Sequence, residues 1–134
     1  NHIDISGVDD FTELCYRSPF MGDISGWNVS HVRCMRGMFE QSKFTTQFQP
    51  LGLSRWDVSG VTDMSRMFNR SAFDGDLSQW KFPALRSASN MFAYASFNGD
   101  IADWDVSQLQ NMQGMFRYSV FKGDLSRWCV ANAT

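Results

Sequence analysis

The sequence predicts an α/β repeat fold: a right-handed solenoid with a short parallel strand and a short helix in each 24-residue repeat. Three observations predict it. The stretch LSRWDVSGVTDMSRMFNRSAF (residues 53–73) recurs in altered form at 24–44, 77–97 and 101–121, with partial copies at 3–20 and from 125 to the end. The closing phenylalanine falls at Phe20, Phe44, Phe73, Phe97 and Phe121, three of the four intervals being 24 residues and the other 29. A fixed period of this size marks a repeat architecture whose units bury their apolar faces on one another. Finally, the apolar periodicity changes within each unit, from two to about 3.6.

The first half of a unit reads L-x-x-W-x-V-x-x-V. Its apolar columns are Ile24/Leu53/Leu77/Ile101/Leu125, Trp27/Trp56/Trp80/Trp104/Trp128, Val29/Val58/Phe82/Val106/Val130 and Val32/Val61/Leu85/Leu109. W-x-V alternates with period two, the pattern of a short strand. All five tryptophans occupy one column and are expected to stack inside the fold. In the second half, Met64, Met67 and Phe68 sit at i, i+3 and i+4, one face of a short helix. The residue before that face is Asp10, Asp63, Ser87 or Asn111, each a good helix N-cap, and Asp10 has Glu13 at capping-box spacing. Two helical turns cannot stand alone in water, so the helix is expected to rely on packing. The F-x-G-D corner carries Gly22, Gly75, Gly99 and Gly123, which suggests positive φ there. Residues 45–52 are expected to bulge as a loop.

The 134 residues fit one domain, 1–134, and partial repeats at both ends suggest a segment of a longer protein. The 43% apolar and 15% aromatic content can support a core. A net charge of −2 offers no basic face for nucleic acid, and no run approaches a membrane span, so no membrane insertion is expected. Cys15, Cys34 and Cys129 fall in different columns, which argues against a disulfide framework or a zinc site.

The frame L-x-x-W-x-V-x-x-V resembles the L-x-x-L-x-L frame of leucine-rich repeats. The longer pattern GDLSxWDVSxVTDMSxMFxxS is similar to the short repeat of BspA-like leucine-rich repeat surface proteins, shared with mycoplasma lipoproteins and Listeria surface proteins. The resemblance covers the chain, apart from Lys81-Phe82-Pro83-Ala84 in place of D-V-S-x, Ala88 in place of the first Met, and the insert. It implies a leucine-rich-repeat-like solenoid at the cell surface or outside the cell, used in adhesion. It brings no catalytic residues.

No nucleophile and base fall in register, so no enzyme activity and no cofactor are expected. Asp23, Asp76, Asp100 and Asp124 form a carboxylate column. One carboxylate per rung falls short of the six to eight oxygens calcium takes, and the residues read as turn caps, with no metal. The Met, Phe and Trp columns read as core. What varies from unit to unit is the outward side of the W-x-V stretch. Arg55, Asp57, Gln79, Lys81, Asp103 and Asp105 are therefore the candidate binding residues, on a continuous sheet face. The chain is expected to act as a monomeric, non-enzymatic module recognising a protein or glycan. The alternative is a spacer or stalk with no ligand of its own.

Overall fold

The computed structural model describes residues 4–20, 22–45 and 52–134. Among the described residues there is no helix, and the β structure is a single line of one-residue parallel bridges. These run Asp10 to Cys34, Cys34 to Asp63, Asp63 to Ser87 and Ser87 to Asn111. The expected α/β, right-handed leucine-rich-repeat-like solenoid is therefore wrong, and so is the sheet on which a face was to be built. The units are made of turns.

In the first half of each unit, L-x-x-W closes on itself. The Trp56 N–H donates to the Leu53 carbonyl at 3.1 Å, and Trp80–Leu77 and Trp104–Ile101 repeat the bond. V-x-x-V closes in the same way, from Val61 to Val58 and from Leu109 to Val106. A turn of this kind brings residues i and i+3 together, and the residue before the tryptophan, Arg55, Gln79 or Asp103, is left exposed. Leucine, tryptophan and both valines are thus buried without any strand: Leu53, Trp56, Val58 and Val61 are all in the core. The W-x-V alternation is two turns meeting, with an aspartate cap at the join.

The Met–Phe segment alternates its hydrogen bonds. From Met64 to Ser71, every second N–H goes back three residues: Met67 to Met64, Asn69 to Arg66, Ser71 to Phe68. Those between go out to the next unit: Met64 to Ser87, Arg66 to Ser89, Phe68 to Met91, Arg70 to Ala93, all at 2.9 Å. A helix would direct all of them to i−4. This geometry needs left-handed residues, and each unit has two, four apart. They are Glu13 and Arg17, Gly37 and Gln41, Arg66 and Arg70, Asn90 and Tyr94, Gly114 and Tyr118, with φ between 50° and 64°. A left-handed non-glycine residue costs roughly 1–2 kcal/mol. Each fully buried Met or Phe contributes about 1.5–3 kcal/mol in the other direction, and Met64, Met67 and Phe68 have no exposed surface. Asp10, Asp63 and Asn111 do not cap helices. They sit in the bridge column and accept the N–H of Thr12, Ser65 and Gln113, two residues on, at 2.8–3.0 Å.

Units stack in register. Phe39, Phe68, Phe92 and Phe116 form a column of parallel rings 5.6–5.7 Å apart. Each also packs on the closing phenylalanine of its own unit, 4.5–4.8 Å away. Trp80, Trp104 and Trp128 stack at 6.5 and 6.3 Å. The indole N–H of Trp56, Trp80, Trp104 and Trp128 donates to the carbonyl of Ile24, Leu53, Leu77 and Ile101, one unit back. Buried tryptophan nitrogens need a partner, and here the partner is always the neighbouring unit. The Phe39–Phe68 contact spans the 29-residue interval at the same spacing as the others. The expected loop at 45–52 falls mostly outside the described residues.

At the F-x-G-D corner the glycine serves for space and not for φ. None of Gly22, Gly99 and Gly123 is left-handed, but a Cβ on each would strike the ring of the phenylalanine two residues before it, at 2.5 Å for Gly22 and 2.9 Å for Gly99.

Candidate interaction surface

All six sequence-predicted binding residues are exposed. Arg55, Gln79 and Asp103 occupy the third position of the L-x-x-W turns, so the turn aims them outward and not a strand. Asp57, Lys81 and Asp105 follow the tryptophan. Gln79, Lys81 and Asp103 come together, lining a polar depression of about 340 Å³ with Ser78 and Asp100. Asp103 also pairs with Arg127 at 2.7 Å, a contact open to solvent and hence weak.

Asp57 and Asp105 have structural work. Each accepts the N–H of the serine two residues on, Ser59 or Ser107, at 3.0 Å. The serine hydroxyls and N–H groups hold both carboxyls below the usual carboxylate range, with Lys81 adding a smaller pull on Asp105. The Gly-Asp column behaves alike: Asp23, Asp76 and Asp124 cap Ser25, Ser78 and Ser126 and are lowered mainly by those hydrogen bonds. Asp100 caps Ala102. D-x-S is thus the recurring corner of this fold, an Asx turn at successive bends.

Among the described residues, no group of three or more His, Cys, Asp or Glu is placed to hold a metal ion, and no helix is long and apolar enough to cross a membrane. One charged pair is buried in part: Glu40, 4% exposed, accepts from Arg66 in the next unit.

Sequence reasoning passed over another surface. Two residues beyond Cys15, Phe39, Phe68, Phe92 and Phe116 stand Arg17, Gln41, Arg70, Tyr94 and Tyr118, a column in which Arg17 meets Gln41, Arg70 meets Tyr94 and Tyr94 meets Tyr118. The signal was available, since no residue in that column is glycine, acidic or small.

No curated protein and no solved structure matches the chain. A family model described as "Mycoplasma protein of unknown function, DUF285" matches it twice, over residues 1–95 and 42–134. That supports the mycoplasma-type repeat and does not name the BspA-like proteins. Because the two overlapping matches take in every repeat from end to end, the chain belongs to this mycoplasma family.

Proposed function

We propose that the chain is a non-enzymatic binding module of the BspA-like kind, displayed at the cell surface or outside the cell. It recognises a protein or a glycan through the exposed turn tips around Arg55, Asp57, Gln79, Lys81, Asp103 and Asp105. The observation that carries this reading is the polar depression where Gln79, Lys81 and Asp103, from adjacent units, converge. A backbone already closed into turns leaves only the side chains to be ordered at binding, which favours affinity.

The second reading, a spacer without a ligand, draws support from Asp57 and Asp105, whose carboxylates already cap turns. The two separate in one experiment. The chain is offered a glycan array and an extract of host surface proteins, beside a variant carrying Arg55→Glu and Lys81→Glu. A binding module loses its ligand in the variant and keeps its melting temperature, since exposed substitutions move stability by under about 0.5 kcal/mol. Absence of any ligand for the native chain supports the spacer. Binding that survives the double change but is lost when residues 45–52 are shortened assigns recognition to that segment.

A further inference from the structure

The column Arg17, Gln41, Arg70, Tyr94, Tyr118 is a ladder of donors with one member per rung, in contact from Arg17 to Gln41 and from Arg70 through Tyr94 to Tyr118. The Arg17 Nε donates to the Gln41 Oε1 at 3.0 Å. The Arg70 guanidinium lies over the Tyr94 ring, 4.3 Å from its centroid, and Tyr94 stacks on Tyr118 at 5.1 Å. Arg117 sits beside Tyr118, 5.3 Å from the ring centre. Tyr94 is 43% and Tyr118 72% exposed, and Arg17 and Arg70 are exposed too. Because the ring faces are turned toward neighbouring rungs, the outer surface offers ring edges, phenol hydroxyls, an amide and guanidinium groups.

The backbone makes this column unusual. All five residues are left-handed, with φ between 50° and 55°. The other left-handed column, Glu13, Gly37, Arg66, Asn90 and Gly114, includes two glycines and an asparagine, residues that tolerate the conformation. The ladder column has neither type in any of five repeats, so long donor side chains stand where a smaller residue would be less strained. Strain held at an exposed position points to use of the side chain.

We propose that this ladder binds a linear acidic polysaccharide laid along the axis of stacking, its carboxylates or sulfates held by Arg17, Arg70 and Arg117 and its hydroxyls by Gln41, Tyr94 and Tyr118. The column contains cations and neutral donors and no acid, in a chain whose net charge is −2, so the positive strip is local. The regular spacing favours a polymer with a matching repeat. Within the ladder the Tyr94 and Tyr118 rings are 5.1 Å apart, and a pyranose advances a linear chain by a similar length. An extended peptide brings same-side residues round only every two residues, about 7 Å, and drifts out of step over five rungs. This surface is separate from the depression around Lys81, and the two proposals stand or fall independently.

The test titrates the 134-residue chain with heparin, polygalacturonate, neutral dextran and poly-L-glutamate, by calorimetry at low and high salt. The two acidic glycans are expected to bind, more weakly as salt rises, and dextran is not. Arg17→Asn with Arg70→Asn keeps residues that accept left-handed φ and should weaken glycan binding by about tenfold or more, the scale of a lost charge-assisted hydrogen bond. Thermal melting of this variant checks that it is folded. Failure of both acidic glycans to bind, or binding untouched by the Arg17 and Arg70 changes in a folded variant, overturns the proposal. Poly-L-glutamate binding as tightly as the glycans also overturns it and assigns the ladder to an acidic polypeptide.

Discussion

Trp80 donates its indole N–H to the carbonyl of Leu53, 2.9 Å away in the preceding unit, while its own ring stacks on Trp104 in the following one. One side chain therefore ties three consecutive units. Trp80→Ala should destabilise the chain by about 3–5 kcal/mol, as buried aromatic truncations do. Trp80→Phe keeps a ring but leaves the Leu53 carbonyl without its donor, and should cost about 1–3 kcal/mol. Urea unfolding of the two variants checks both the order and the size.

The Asx corners make stability depend on acid. The carboxyls of Asp57, Asp76 and Asp105 lie below the ordinary range in the folded chain, because serine hydrogen bonds favour the ionised form. A lowered folded pKa contributes stability that is present above the unfolded pKa of about 3.9 and is lost as pH falls through the folded values. The melting temperature should hold steady down to about pH 5 and fall below about pH 4. Asparagine can keep the same turn without titrating. The triple change Asp57→Asn, Asp76→Asn, Asp105→Asn should therefore flatten the acid limb, which a series of melts against pH will show.

Gly114 and Gly26 make a controlled pair. Gly114 has φ +64°, and a Cβ there would collide with the Asn90 side-chain oxygen of the neighbouring unit. Gly26 meets nothing within 4 Å. Gly114→Ala should cost at least about 1–2 kcal/mol, whereas Gly26→Ala should stay within about 0.5 kcal/mol of the native chain. Equal effects in chemical denaturation would show that the left-handed column is misplaced.

Arg66 supports Glu40 across the inter-unit step. The arginine side chain is 40% exposed and the glutamate 5%, so removal of the arginine strands a buried carboxylate while only part of the arginine's own contact was sheltered. Arg66→Asn keeps a residue tolerant of left-handed φ and should cost about 1–3 kcal/mol. Adding Glu40→Gln removes the stranded charge and should restore part of the loss, a coupling that a double-mutant cycle measures.

The repeat, the core columns and the turn-capping aspartates were legible in the sequence, and the secondary structure was not. Met64, Met67 and Phe68 share one side at helical spacing, but consecutive i to i+3 turns bury the same three positions. Trp56 and Val58 alternate as strand residues do, yet each belongs to a different turn. The deciding signal was Gly37, Asn90 and Gly114 in one column, inside what reads as a helix, where left-handed residues are required. On the surface, the turn-tip residues Arg55, Gln79 and Asp103 were found because they vary among apolar neighbours. The ladder from Arg17 to Tyr118 was missed because it lay on a segment read as helical and repetitive. Its alignment appears only when φ places those side chains in one column.

The central claim is that each unit is a set of turns hydrogen-bonded to the next unit, with no helix in the Met–Phe segment. It is tested most directly by NMR of residues 63–71 and their neighbours at 87–93. The account predicts positive φ at Arg66 and Arg70 from scalar couplings, and contacts from the amides of Met64, Arg66 and Phe68 to the residues around Ser87, Ser89 and Met91. A continuous run of i to i+4 helical contacts from Met64 to Ser71, with helical carbon shifts and no contact to the next unit, would contradict it.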